Sequence, residues 1–86
     1  MYYVYILKSN KDKKFYIGYT RDIKDRLIRH NEGRERSTKN RKPFILKYIR
    51  TFERKKEAMT YERYLKSLKS HKYLEKLIVE NKIVGR

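Results

Sequence analysis

Cysteine and tryptophan are both missing from this chain, proline occurs once and glycine three times. Without cysteine there is no disulfide and no thiolate metal site. The lone proline, Pro43, falls in a single polar loop, and no internal repeat is present. No segment approaches the ~18–20 consecutive apolar residues that span a bilayer. The opening stretch, Met1 to Leu7, is apolar, but no basic region precedes it and no small-residue cleavage site follows. A secretory signal is therefore not expected, and a cytoplasmic location is. Acidic residues are scarce too: 10 Asp plus Glu stand against 25 Lys plus Arg, a formal charge of +15. On so short a chain that charge repels itself and favours a polyanionic partner. The apolar runs read as strands rather than as one face of a basic amphipathic helix, so nucleic acid is the expected partner and a membrane surface is not.

What is present suffices for one domain over residues 1–86. Hydrophobic residues make up 38% of the chain, enough for one modest core, and charged residues 41%. High charge with low hydropathy can mark disorder, but here the apolar residues fall in periodic blocks. Residues 2–8 read as a strand that is apolar on both faces, 9–14 as a polar turn, and 15–19 as a second strand completing an antiparallel hairpin. Alternation places Tyr3, Tyr5 and Leu7 on one face of the first strand, and Tyr16 and Gly18 together on one face of the second. A helix follows over about 21–32, capped by Thr20, buried along Ile23 and Leu27, and stopped by Gly33. Residues 34–43 form a cationic loop, and 44–52 a third strand. A second helix over about 54–69 buries Ala58, Tyr61, Leu65 and Leu68; a last one, capped by Ser70, buries Leu74, Leu77 and Ile78. The expected fold is α+β, with order β-β-α-β-α-α and a three-stranded antiparallel sheet covered by helices.

Arg26 and His30 stand four residues apart on one helical face, bordering the Ile23/Leu27 stripe. The bland reading makes them two more solvated cations. Glu62 follows Ala58 by four and lies at the rim of the apolar stripe of the second helix, where a carboxylate meets the sheet edge. Its bland reading is an ion pair with Lys66 or Arg63. A hard metal requires oxygen ligands. Asp12, Asp22, Asp25, Glu32 and Glu35 read as turn, loop or first-turn charges, which leaves Glu57 and Glu62, the latter better faced. Nine tyrosines each require a partner for the hydroxyl when buried. Tyr5 and Tyr16 on neighbouring strands, with Gly18 two residues on, form a more specific arrangement. A glycine inside a strand weakens it unless something approaches its backbone closely.

These residues carry a family resemblance. Tyr3-Val4-Tyr5 followed by Tyr16-Ile17-Gly18, then Arg26 within Asp22-Ile23-Lys24-Asp25-Arg26-Leu27, then His30, resemble the GIY-YIG nuclease domain. That family includes intron homing endonucleases, the incision subunit of bacterial nucleotide-excision repair, and small stand-alone bacterial proteins; the last are the most similar. The similarity runs from about residue 2 to about 80. It departs from the pattern at Tyr3, where the family has Gly, and at the family's late Asn, whose weak counterpart is Asn81. The resemblance implies an endonuclease in which Glu62 holds a divalent metal, Mg²⁺ or Mn²⁺. It further implies tyrosines that activate or position the attacking water and an Arg, here Arg26, that steadies phosphate charge. Such roles suit phosphodiester hydrolysis, in which negative charge accumulates around phosphorus. Tyr5 is assigned as base or water-orienting group with His30 assisting, and Tyr16 completes the network. Neighbouring cations would favour an ionised phenol. The five residues are expected to line one concave surface on one face of the sheet.

Arg36, Lys39, Arg41 and Lys42 of the loop, together with the backbone at Gly18, are assigned as nucleic-acid contacts, which supply affinity without base identity. No appended module reads sequence, so DNA is expected to be chosen by structure, and targeting is left to a protein partner. The alternative is a catalytically silent basic module on the same fold, for which charge and stacking aromatics suffice.

Overall fold

In the computed structural model, residues 1–33, 41–68 and 70–84 are described, the last four as backbone. The chain runs β1 (Tyr2–Ser9), β2 (Phe15–Thr20), α1 (Ile23–Asn31), β3 (Phe44–Phe52), α2 (Lys55–Leu68) and α3 (His71–Val84). The fold is α+β, as its alternation of patterns implies: an antiparallel sheet in the order β2-β1-β3 with helices on both faces. The strand in the middle is the one whose sequence is apolar on both sides. Val4 and Ile6 on one face, and Tyr5 and Leu7 on the other, are each 3% exposed or less. Two cores result. Val4 and Ile6 pack with Tyr48, Ala58, Leu65 and Leu74 beneath α2 and α3. Tyr5 and Leu7 pack with Phe44, and with the partly buried Ile23 and Leu27 of α1, on the other side.

A β-bulge makes this division possible. Ile6 pairs with Tyr48 but Leu7 pairs with Leu46, so Lys47 is the extra residue between them. In an uninterrupted strand Leu46 and Tyr48 would share a face. The bulge sends Tyr48 to the α2/α3 core and Leu46 to the α1 core. Among the described residues no helix is long and apolar enough to cross a membrane.

The ends of the elements are held by local hydrogen bonds, one of them different from expectation. Helix α1 is capped by Asp22, whose Oδ1 accepts the Asp25 N–H at 3.0 Å, and not by Thr20. Thr20 belongs to β2, and its hydroxyl accepts the Asp22 N–H at 3.1 Å, which turns the chain out of the strand before the helix begins. Gly33 does end the helix, with φ of 77° and its N–H on the His30 carbonyl. Asn31, the last residue of α1, clamps the first residue of β3: its amide donates to the Phe44 carbonyl at 3.2 Å and accepts the Phe44 N–H at 2.6 Å. Ser9, fully buried, accepts the N–H groups of Lys11 and Asp12 and donates to the Arg41 carbonyl.

Gly18 faces Tyr5 across the β1–β2 ladder. A Cβ built at Gly18 would stand 2.7 Å from the Tyr5 Cζ and closer still to its hydroxyl. The close approach that a strand glycine implies is therefore made by the Tyr5 ring, which lies across the backbone of β2. Removing a glycine normally stabilises by about 0.4–1 kcal/mol through the unfolded chain. The clash outweighs that gain, because the ring belongs to a residue only 3% exposed and has nowhere to move. Gly18→Ala should destabilise by about 1–3 kcal/mol in urea unfolding, and by clearly less in a Tyr5→Ala background; equal losses in both backgrounds would refute the contact. Leu65→Ala, at a position 1% exposed, should cost about 2–5 kcal/mol by the same measurement, without a change in slope against denaturant.

Candidate active site

At the β2 edge of the sheet lies an open cavity of ≈ 610 Å³. Tyr5 reaches it from β1, Arg26 and His30 from α1, and Glu62 with Lys66 from α2, while Gly18 forms part of its wall. The arrangement corrects one expectation. These residues do not share one face of the sheet, for Tyr5 belongs to the α1 side and α2 packs on the other. They meet because β2 is an edge strand and one of its residues has no side chain. Glu62, three residues before buried Leu65 and four after buried Ala58, sits at the rim of α2 and looks past that edge.

Within the cavity, the Tyr5 hydroxyl lies 3.2 Å from Nε2 of His30, a buried contact between strand and helix. The imidazole, 6% exposed, is set edge-on to Tyr5 and to Phe44, with ring centroids 6.0 and 5.6 Å away. Two groups able to give or take a proton are thus joined and held against rotation by aromatic walls. Arg26 brings the other notable feature. Its Nε is buried, and among the described residues it is the buried side-chain nitrogen or oxygen with no hydrogen-bond partner. An unmade bond on a buried donor costs about 1–3 kcal/mol, more for a charged group. Arg26 lines the cavity, so an anion entering it would meet a fixed positive charge. Glu62, its side chain 17% exposed, is engaged by Lys66 at 3.0 Å, so its ordinary helical partner is present as well.

Tyr16 stands elsewhere. It shares the α1 side of the sheet with Tyr5 but does not line this cavity. Its hydroxyl donates to Asp12 Oδ2 at 2.8 Å, and its ring packs edge-on against Phe44, which in turn touches His30. Burial, and then the Asp12 carboxylate, push the Tyr16 phenol above its ordinary pKa, opposite to the ionised form expected of a base. Desolvation raises the Asp12 carboxyl, but the Lys14 N–H, the Tyr16 and Ser9 hydroxyls and the Arg41 charge outweigh it and leave the group below its ordinary value. Arg41, assigned to phosphate, spends its Nε on Asp12 at 3.2 Å. Tyr16 and Arg41 are therefore parts of a brace between the hairpin and the start of β3. Lys42 is exposed, whereas Arg36, Lys39 and the Asn81 side chain lie outside the described residues.

One residue escapes the sequence reading, and another, read there only as an ion-pair partner of Glu62, gains a second role. Asp12, which reads as a turn charge, organises that brace. Lys66 lines the cavity, and its i, i+4 spacing from Glu62 is the signal that could have placed it there. For a metal, no cluster of three or more His, Asp or Glu suited to holding an ion occurs among the described residues. Of the carboxylates lining the cavity, Asp22 caps α1 and Asp25 is bridged to Arg29, which leaves Glu62. One such carboxylate suits a hard ion that keeps several waters and completes its shell with phosphate oxygens, the habit of Mg²⁺.

Comparison with known proteins gives the family. Residues 1–74 match the GIY-YIG catalytic domain. The UPF0213 protein SSP2268 of Staphylococcus saprophyticus is 42% identical over 80 residues, 92% of this chain and 95% of that protein. The UPF0213 protein YazA of Bacillus subtilis is 38% identical over 82 residues, covering 94% of this chain and 80% of its own length. The solution NMR structure of a UPF0213 protein from Bacillus halodurans, 38% identical, matches with a TM-score of 0.58 over 92% of this chain and 84% of that one. A domain match over most of the sequence, and relatives aligned over nearly their whole lengths, place the chain in the GIY-YIG family, among its UPF0213 members.

Proposed function

We propose that this protein is a metal-dependent endonuclease that hydrolyses phosphodiester bonds of nucleic acid, DNA being the expected polymer, with selection by structure rather than by sequence. The observation that carries the proposal is the meeting of Tyr5, Arg26, His30 and Glu62, drawn from a strand and two helices, around one solvent-open cavity. A pure binding module has no need of a Tyr–His hydrogen bond at that point, nor of a buried arginine nitrogen left without a partner. Family membership supports the same reading.

The roles follow from the atoms. A phosphate seated in the cavity meets the Arg26 guanidinium, which offsets the negative charge that grows on the phosphoryl oxygens. The Tyr5 hydroxyl orients the attacking water and accepts its proton as its own passes to His30 Nε2, so that the pair acts as base without a free phenolate. Glu62 is the residue that would hold Mg²⁺ or Mn²⁺, with water and substrate oxygens completing the shell. Such an ion, when bound, polarises the phosphoryl oxygen as a Lewis acid. Lys66, whose side chain is 55% exposed, is free to swing from Glu62 towards a phosphate. Tyr16 serves from outside, holding Phe44 and hence His30 in place.

One observation favours a second reading. The Glu62–Lys66 pair is also the ordinary arrangement on a solvated helix, in keeping with a silent binding module. Glu62→Gln separates the two. In the nuclease, cleavage of branched and flapped DNA with Mg²⁺ or Mn²⁺ should fall by at least about 10²-fold, the loss of several kcal/mol of Lewis-acid stabilisation. Stability should change by no more than about 0.5 kcal/mol and binding should hold or tighten slightly. Arg26→Ala should lose about 10²–10³ in rate, as removal of one oxyanion donor does, with a smaller loss of affinity. Wild-type protein inert on every branched, flapped and single-stranded substrate, or Glu62→Gln as fast as wild type, would leave the binding module standing.

The net charge of +15 gives a further expectation that both readings share. Affinity for random duplexes should fall linearly in log–log salt titrations, with a slope of about −0.9 per phosphate neutralised. A shallow slope, or a strong preference for one sequence, would sink the electrostatic basis of binding.

A further inference from the structure

On another side of α2 lies a second recess, of ≈ 590 Å³, lined by Arg54, Lys56, Glu57, Thr60, Tyr61 and Tyr64. Glu57, Thr60, Tyr61 and Tyr64 recur at intervals of three, one and three residues, which aligns them along one stripe of the helix; Glu62 is turned ~100° from Tyr61. The recess is therefore separate from the cavity at the β2 edge. Its floor is rigid. The Tyr61 hydroxyl is hydrogen-bonded to that of Tyr48 at 3.0 Å, and the Arg50 guanidinium sits 4.7 Å from the Tyr61 ring centre and 5.2 Å from that of Phe52. Its wall is Tyr64, with its ring centre 6.1 Å from that of Tyr61 at a tilt of 31°, and 48% exposed, a large aromatic left open to water.

We infer that this recess is a binding site for unpaired nucleotides, in which a base stacks on Tyr64 against Tyr61 while Arg54 and Lys56 hold the flanking phosphates. The chemistry selects that occupant. Aromatic faces bind any base through its π-face, and cations beside them track the backbone. Of the charged groups lining the recess two are positive and one, Glu57, is negative, and Arg50 adds another positive charge at its edge. A second copy of a chain carrying +15 is repelled from such a surface. Duplex DNA offers phosphates but keeps its base faces stacked, so the aromatic component is available only to single-stranded or frayed segments. The inference rests on the nucleic-acid reading of this protein but not on cleavage. It gives structure selectivity a physical source: one surface for a flexible strand, apart from the cavity where a phosphate is attacked.

The experiment measures anisotropy of fluorescein-labelled short strands with the full chain in EDTA, so that no cutting intervenes. One strand is oligodeoxythymidylate; the other has the same length and backbone but abasic residues. Wild type should prefer the base-bearing strand by about tenfold, the factor given by a stacking free energy of about 1.4 kcal/mol. Tyr64→Ala should abolish most of that preference and Tyr64→Phe should keep it, with circular dichroism melts confirming that both variants fold. Arg54→Ala with Lys56→Ala should weaken both strands alike and flatten the salt slope by about 0.7 per charge removed. Equal affinity of wild type for the two strands, or an undiminished preference in Tyr64→Ala, overturns the site. So does a Tyr64→Ala change in sedimentation without a change in strand binding, which would make the patch a protein contact. Cleavage by the wild type, assayed separately with Mg²⁺ or Mn²⁺, keeps the two proposals apart: base preference without cleavage removes only the nuclease, and cleavage without base preference removes only this site.

Discussion

The contact between the Tyr5 ring and the backbone of Gly18 is the constraint from which the site takes its shape. Tyr5 comes from the most buried strand of the sheet, and its hydroxyl must travel across β2 to reach a helix that packs over the sheet. Any side chain at position 18 would block that route. The glycine thus serves two ends, letting a core tyrosine extend to His30 and leaving the sheet edge thin enough for Glu62 to approach from the opposite layer. A three-residue pattern such as Tyr16-Ile17-Gly18 is in this sense less a set of reacting groups than the mould for a group on the neighbouring strand.

Around that contact the fold is organised by rigid links of modest individual worth. Asn31 ties α1 to β3, Ser9 and Asp12 tie the hairpin turn to Arg41, and Tyr16 joins Asp12 to Phe44 and through it to His30. A net hydrogen bond contributes about 0.5–1.5 kcal/mol, so none of these alone secures the structure. Their value is geometric. Each fixes an element that carries a cavity residue, and the small cores, one per sheet face, supply the cohesion.

The order of elements is legible in the sequence because the periods are clean: β1 is apolar on both faces, Ala58, Tyr61, Leu65 and Leu68 are spaced for a helix, and Gly33 marks an end. Boundaries decided by competing side chains are less so. Thr20 and Asp22 are both good caps, and only the tertiary path of β2 gives the role to Asp22. The cavity is legible where spacing on one helix is enough, as for Arg26 with His30. It is not legible where two elements must be superposed. Nothing local says that Tyr16 will face an aspartate four residues before it instead of the other tyrosine, or that α2 will lie across the sheet from Tyr5 yet present Glu62 around the edge. Lys47 illustrates the same limit, since the bulge that expels it from register depends on two cores competing for Leu46 and Tyr48.

Charge economy explains why so few residues serve the site. With 10 carboxylates against 25 Lys and Arg, cations are at hand for the acids: Asp25 is bridged to Arg29, Asp12 to Arg41 and Glu62 to Lys66. For Glu62 the pairing is an asset. The carboxylate on the helix rim is paired with Lys66, whose exposed ammonium is a weak hold, since i, i+4 helix pairs are worth only about 0.3–0.5 kcal/mol. On the proposed reading, a divalent ion held by Glu62 would have to compete with that pairing, and Lys66 would stay beside the cavity as one more positive charge. Arg26 is the counter-case, a cation whose Nε has no partner in a chain crowded with like charge. Its guanidinium lines the cavity beside Lys66, and that positive charge together with the unmade hydrogen bond favours an anion as the occupant.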